Sequence, residues 1–451
     1  MKTYNNRTSL NPALRPEQNY MGMPFLLNNL YVDVKTNSLN MDHLTFRQDG
    51  ELLSFMHKDV SADKFLKGIS SDNYANMDFN YTLFSFGFYK GKGFWNVDFN
   101  LKAQVDANLP YSAFELMKRG FAMNEPSYYN VKDTRIKANT YAELGVGHSR
   151  PFLDNTLIVG AKAKVLMGFA NFDAHIRDMK VNAGLDEWVI RSHATLDGSA
   201  PGLYPTFDEE DKFDSYEWKE SFGIPGMGLG FDLGATYALS GLADLTDGTW
   251  ADILNRLTVS LAFTDLGFIS WSKSNSSHLY SSLEDEVITG NFEIDFDDNN
   301  SSLQDDIDKI KDKFEEIIEF KEGEAKSRTT GLRTNMNIGI EYEILKEKLS
   351  AGFLSTTYFN SSKNVTEATL ALTYRPIKCI ETALSYSFVY SKFDTFGFAV
   401  NFNPTKGVHF FLASDYIIPH MNSEFMPVTS KGVNLQLGLS IPLGPRVKPK
   451  K

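Results

Sequence analysis

Apolar residues fall at every second position over long stretches of this chain. Val433 to Leu443 has apolar side chains at all odd positions and small, polar or Pro residues between them. Successive strand residues point to opposite faces, so this segment presents one wholly apolar face. Trp95, Val97, Phe99, Leu101, Ala103 and Val105 repeat the pattern, backed by Asn96, Asp98, Asn100, Lys102, Gln104 and Asp106. So do Met227, Leu229, Phe231, Leu233, Ala235 and Tyr237, backed by Gly228, Gly230, Asp232 and Gly234. Further strands are predicted at 25–34, 82–88, 136–146, 157–167 and 257–264, and as a nearly unbroken meander from Met336 to the end. The recurrence predicts an all-β transmembrane barrel with lipid outside and a polar interior, of about 14 antiparallel strands. Alternate joints are mostly short, such as Lys90–Gly93, whereas the others are long: 38–76, 107–132, 171–225, 269–330 and 418–430. Short periplasmic turns and long extracellular loops are the outer-membrane arrangement. The domain reading is an N-terminal plug over 1–23, the barrel with its loops over 24–445, and a periplasmic tail over 446–451.

The loops carry structure of their own. Leu303, Ile307, Ile310, Phe314 and Ile317 recur at helical spacing and predict a helix over 301–319. A shorter helix is read at Ala113 to Met117, and a projecting hairpin from 176–180 and 188–196.

Composition narrows the reading. The chain has 451 residues, and at 42% hydrophobic it contains no apolar run of transmembrane-helix length. The net charge of -12 and the lack of a basic patch exclude nucleic acid as a partner. One cysteine, Cys379, leaves no intrachain disulfide. No secretory leader opens the sequence, so the barrel reading requires one to have been removed before residue 1. Asp295, Asp297 and Asp298 are read as a solvated loop rather than a calcium site, because their spacing does not fit a calcium loop. No catalytic nucleophile motif, cofactor fingerprint or metal-ligand spacing is present. The expectation is a protein that is not an enzyme, with no cofactor and no metal.

Parity places Asp98, Lys102, Asp106, Lys137, Glu143, Lys162, Lys164, Asp232, Glu341 and Glu343 on the lumen side. They are read as internal ion pairs bracing a filled barrel, with a charged permeation path as the other reading. The polar segment before the first strand is the candidate filling. Gly228, Gly230 and Gly234 either permit a kink in the wall or make room for that plug.

Leu10-Asn11-Pro12-Ala13-Leu14-Arg15-Pro16, His57 to Asp63, Leu109-Pro110-Tyr111 and Gly438 to Gly444 together resemble an uncharacterised family of outer-membrane barrels from Bacteroidetes-type bacteria. Asn11-Pro12-Ala13 also resembles the N-terminal hatch of the long-chain fatty-acid transporter (FadL-like) superfamily, which includes the PorV-like barrels of the type IX secretion system. The resemblance implies a fourteen-stranded barrel with an N-terminal plug. It implies one of two functions: passing a hydrophobic or amphipathic small molecule, or serving as a scaffold or accessory subunit of a protein secretion or barrel-assembly machine. The implied partners are outer-membrane lipid and, in the second case, an envelope protein complex. The chain departs from the transporters in the number of its inward charges and in ending on Lys448-Pro449-Lys450-Lys451.

Overall fold

A computed structural model of the chain describes residues 1–23, 27–38, 45–48, 51–57, 59–120, 126–185, 187–207, 213–219, 223–243, 248–289, 305, 308–309, 318–359, 364–389, 392–404, 406–415 and 432–446. It is an all-β, closed barrel of 14 antiparallel strands. The first wall strand, β1, is in two pieces, Asn19–Gly22 and Asn29–Thr36. The others are β2 Asp72–Lys90, β3 Gly93–Pro110, β4 Ser127–Phe152, β5 Leu157–Ala183, β6 Gly226–Ala238 and β7 Leu257–Trp271. There follow β8 Thr334–Leu345, β9 Leu349–Phe359, β10 Val365–Ile377, β11 Ile380–Val389, β12 Lys392–Phe402, β13 His409–Ser414 and β14 Gly432–Leu443. Each pairs with its sequence neighbours, and both pieces of β1 pair with β14 and with β2, which closes the ring.

The outward face is the apolar stripe read from the sequence. Met227, Leu229, Phe231 and Leu233 of β6 are each half-exposed, as are Leu370 and Leu372 of β10 and Phe396 of β12. So large and continuous an apolar belt is stable against hydrocarbon rather than water. Inward positions between them are buried and polar, as at Asp232.

The wall is uneven. β4 and β5 run 26 and 27 residues, against 12 and 11 for β8 and β9. The tall strands continue above the barrel into a sheet with Glu187–Ser199 and Ser276–Thr289. The pairing of Met179 with Ser192 and Lys180 with Arg191 is the projecting hairpin expected at 176–196. Against this sheet pack the helix Ala62–Leu66 and the helix Tyr111–Glu115 with its following turn Leu116–Gly120. Phe55, Phe65, Phe114, Leu116, Val131, Val181, Trp188 and Ile190 form their shared core. The long-loop end therefore carries a cap with its own hydrophobic interior over β1 to β7.

Three boundaries shift from the sequence reading. Residues Asn19–Gly22 belong to the wall, not to the plug, because they pair with β14 and β2. The expected loops at 107–132 and 171–225 begin later, since β3 runs to Pro110 and β5 to Ala183; above the barrel the alternation continues against a protein core instead of lipid. The short-turn end has one long joint, between β6 and β7, holding the helices Ser240–Ala243 and Thr249–Leu254. The apolar positions of the helix read at 301–319, the acids 295, 297 and 298, the 418–430 loop and residues 447–451 lie outside the described residues.

Candidate functional site in the barrel lumen

Even-numbered residues of β3, β5 and β6 face inward, and this brings most of the expected charges together at mid-height. Lys102 Nζ lies 2.9 Å from Glu143 Oε2 and 3.0 Å from Asp265 Oδ1. Lys162 Nζ lies 2.7 Å from Asp98 Oδ1 and 3.4 Å from Glu143 Oε1. Lys164 Nζ lies 2.6 Å from both Asp232 Oδ1 and Asp265 Oδ1, and 3.5 Å from Glu143 Oε2. Glu143, on β4, thus meets all three lysines with its side chain 1% exposed. Three lysines face four carboxylates in one connected network, which is how charges this far from bulk water remain tolerable.

Asp265 escapes a parity reading. Leu257, Val259, Leu261 and Phe263 of β7 would put position 265 on the outer face. A bulge intervenes: Asp265 has φ of 58°, and the register with β6 shifts between Phe231 and Leu233. Its N–H donates to Asp232 Oδ1 at 2.7 Å while its carboxylate turns inward. A bulge re-aims a side chain in this way, and it resets the alternation beyond it. Ile269 and Trp271 then face inward, fully buried, while Phe268 faces out. With Tyr141 and Leu166 they form a small packed apolar cluster inside the barrel.

Closer to the long-loop end, a second set of pairs crosses the bore. Arg333, at the start of β8, reaches Asp106 Oδ1 at 3.0 Å and also pairs with Asp78, on β3 and β2 at the far side of the ring. Lys35 of β1 lies 3.0 Å from Asp33 and 2.8 Å from Glu367 of β10. The Tyr358 ring stands between these cations, 5.2 Å from Lys35 Nζ and 5.4 Å from Arg333 Cζ. Such contacts span the lumen rather than line it. Lys137 is not part of either level; it pairs with Asp173 at 3.5 Å.

The plug, residues 1–18, fills the short-turn end. Lys2 Nζ lies 2.5 Å from Glu343 and 3.7 Å from Glu341, so these two expected lumen charges hold the plug and do not join the mid-level network. Thr3 donates from its N–H and hydroxyl to Glu381 Oε2 at 3.0 and 2.6 Å. Glu17 accepts two hydrogen bonds of 2.8 Å from Arg375. The Tyr4 ring stacks on Phe411 with centroids 4.0 Å apart.

Asn11, Pro12 and Ala13 are buried at the centre of this contact. Asn11 Oδ1 accepts from the Ala13 N–H at 2.8 Å, closing a local turn. Its Nδ2 donates to the carbonyls of Ala235 and Leu261, each at 3.3 Å, on β6 and β7. Gly234 and Gly160 are cross-strand partners beneath it. A Cβ on Gly234 would collide with the Asn11 side chain, and one on Gly160 with the Pro12 backbone. Gly228 faces the β7 backbone at Phe268, and Gly230 faces the Lys164 stem. The β6–β5 ladder runs unbroken from Gly226 to Tyr237, so the wall stays shut at these three glycines.

β1, in contrast, comes in two pieces, Asn19–Gly22 and Asn29–Thr36. Gly22 pairs with Ser440 and Asn29 with Gly438, on either side of Leu439. The Met23 N–H reaches the Leu439 carbonyl at 3.4 Å, and the Leu439 N–H reaches the carbonyls of Leu27 and Asn28 at 2.9 and 3.0 Å. Leu27 has φ of 45°. No single residue in the sequence announces this break. Arg333, Lys35 and Glu367 were also missed, since each lies at a strand end where only a few alternating residues are available to read.

Among the described residues no group of three or more His, Cys, Asp or Glu is placed to hold a metal ion.

Residues 12–415 match the model of a family of unknown function, DUF5723, and the chain belongs to that family. A search of curated proteins finds no match. Among solved structures the chain is similar to a TodX deltaS2S3 mutant, a monoaromatic hydrocarbon channel, at 9% identity and a TM-score of 0.44, over 96% of this chain and 93% of that one. It is similar to the toluene transporter TodX of P. putida at 10% identity and 0.41, over 98% and 95%. It is similar to CymD, a monoaromatic hydrocarbon channel, at 9% identity and 0.33, over 98% and 94%.

Proposed function

We propose that this member of the family is a non-enzymatic, FadL-like barrel of the bacterial outer membrane that passes a hydrophobic or amphipathic small molecule sideways between its lumen and the bilayer. Its short-turn end faces the periplasm in this reading. The observation that carries it is that β1 comes in two pieces, Asn19–Gly22 and Asn29–Thr36, whose described ends meet β14 on either side of Leu439. Straight passage along the bore meets two levels of crossing ion pairs and then the plug. Apolar cargo gains nothing from such a route, because parting buried charges costs more than its own burial returns. The wall is the alternative exit.

The test replaces residues 23–28 by one residue, which lets Gly22, the new residue and Asn29 pair in order with Ser440, Leu439 and Gly438. In proteoliposomes the flux of dodecanol is expected to fall to that of protein-free vesicles, while the barrel keeps its heat-dependent gel shift. Undiminished flux would refute the lateral route.

A second reading, a scaffold or accessory subunit of a secretion or assembly machine, draws on the ordered cap, which a simple channel does not need. Against it, Phe65, Phe114, Leu116 and Trp188 of the cap turn into its own core, leaving Tyr128, Leu185 and Val287 as separate exposed side chains. Stoichiometric proteins retained through purification in mild detergent would favour this reading over the first.

A further inference from the structure

At the short-turn end of β2, β3 and β4 the outer face changes character in three successive rows. Phe86, Val97 and Val146 lie level with one another and belong to the apolar belt. One step nearer the turn stand Phe88, Trp95 and His148. The Trp95 and His148 ring centroids are 4.2 Å apart, and Trp95 is 38% exposed. The last row is Lys90, Gly93 and Arg150: Lys90 pairs with Gly93, and Arg150 follows the Phe94–Ser149 pair by one residue. Lys90 and Arg150 are exposed. They stand two strands apart, about 10 Å at the backbone. Apolar, aromatic and cationic rows in that order match the acyl chains, the interface and the phosphates of one leaflet.

Gly93 shapes the last row. A Cβ there would collide with the His148 ring, so the missing side chain lets the imidazole lean from the aromatic row toward the cations. Its Nδ1 is enclosed without a hydrogen-bond partner. Nε2 is then the nitrogen left to donate to a phosphate oxygen. Lys92 in the turn adds a third cation, and Arg15 of the plug, whose guanidinium donates to the Lys92 carbonyl at 3.2 Å, adds a fourth. Among the described residues none of Arg15, Lys90, Lys92 and Arg150 is in an ion pair. In a chain of net charge -12, four neighbouring cations without an acid point to an external anion. A zwitterionic head would bring an ammonium group to this corner with no carboxylate to receive it; a net-negative phosphate head completes it.

We propose that this corner of the wall binds an anionic glycerophospholipid. Lys90, Arg150 and His148 hold the phosphate, and Trp95 and Phe88 lie along the glycerol and the first acyl carbons. The occupant is a lipid rather than a soluble anion or an acidic protein because the cationic row continues the face that meets hydrocarbon. The inference needs the barrel to sit in a bilayer, and it stands whether or not cargo leaves through the wall. With the short-turn end toward the periplasm, the lipid belongs to the periplasmic leaflet.

The experiment uses the full chain. Native mass spectrometry from detergent micelles counts the lipids retained when phosphatidylglycerol and phosphatidylethanolamine are added at equal concentration. In nanodiscs of the two lipids, a diazirine-bearing phosphatidylglycerol is photolysed and the labelled peptides are mapped. The variants are Lys90→Gln with Arg150→Gln, the charge-keeping pair Lys90→Arg with Arg150→Lys, and a control, Lys346→Gln with Lys348→Gln, exposed lysines of another short joint. The expected result is one phosphatidylglycerol retained in preference to phosphatidylethanolamine, with label in 84–97 and 144–152. The glutamine pair at 90 and 150 should weaken retention about thirtyfold, about fivefold for each cation beside an anionic head. The control and the charge-keeping pair should retain the lipid, the latter showing that substitution at these positions leaves the barrel folded. Equal retention of the two lipids, label spread evenly around the barrel, equal loss in the control, or displacement of the lipid by glycerol phosphate at the same concentration would overturn the inference.

Discussion

Glu143 in the bore and Ile190 in the cap are equally removed from water, at 1% and 0% exposure. One is held by three lysines, the other by Val181, Trp188 and the rest of an apolar core. The same tall strands build both regions. In the wall section of β5 the odd-numbered Val159 and Val165 face outward and exposed, while in the cap section the odd-numbered Met179 and Val181 are buried. An apolar stripe is therefore placed by what lies next to it. Where lipid surrounds the wall, apolar side chains go outside and the interior is left to polar groups that must pair. Where water surrounds the projecting sheet, the apolar face turns to the helices 62–66 and 111–115 and the polar face is solvated. The two interiors consequently differ in tolerance: a charge network fails when one partner is removed, whereas an apolar core relaxes in proportion to the volume lost.

That contrast is sharpest at Glu143. Glu143→Ala removes the carboxylate shared by all three lysines, leaving them to Asp98, Asp232 and Asp265, and is expected to destabilise the whole barrel by about 3 kcal/mol, read from urea unfolding in lipid vesicles. An unchanged midpoint would mean that the network contributes nothing. In the cap, Phe65→Ala leaves a cavity worth about 3 kcal/mol. Its effect should stay local: faster proteolysis and hydrogen exchange over 51–69 and 111–120, with barrel unfolding unmoved. Loss of barrel stability in this variant would show that cap and wall fold as one unit. The smallest effect is expected at the plug seat. Gly234→Val pushes a side chain into Asn11 and Pro12, an overpacking cost of about 1–3 kcal/mol that displacement of residues 1–18 relieves. Single-channel conductance should rise and the plug should become protease-sensitive; a silent channel would show that the crossing ion pairs, not the plug, close the bore.

The candidate site was legible in part. Asp98, Lys102, Glu143, Lys162, Lys164 and Asp232 could be assigned inward by alternation alone, and they do converge. Asp265 could not, because a bulge changes which face a residue occupies without changing residue type. Glu341 and Glu343 were assigned to the lumen by parity, and the partner that sets their role, Lys2, is distant in sequence. The division of β1 into two pieces had no signal, since it exists only relative to the register of β14.

The sequence by itself determined the period of the wall, its apolar outer face, the polar inner face and the alternation of short and long joints at the two ends. These are local properties: a strand's two faces are fixed by the order of its residues. Only the tertiary structure decided which inward charges meet across the bore, where the β1 ladder is interrupted, that the Gly160–Gly234 pair receives the plug, and that the long loops close on themselves as a cap. Each of those depends on register and ring closure, which bring together residues hundreds of positions apart that no local pattern relates.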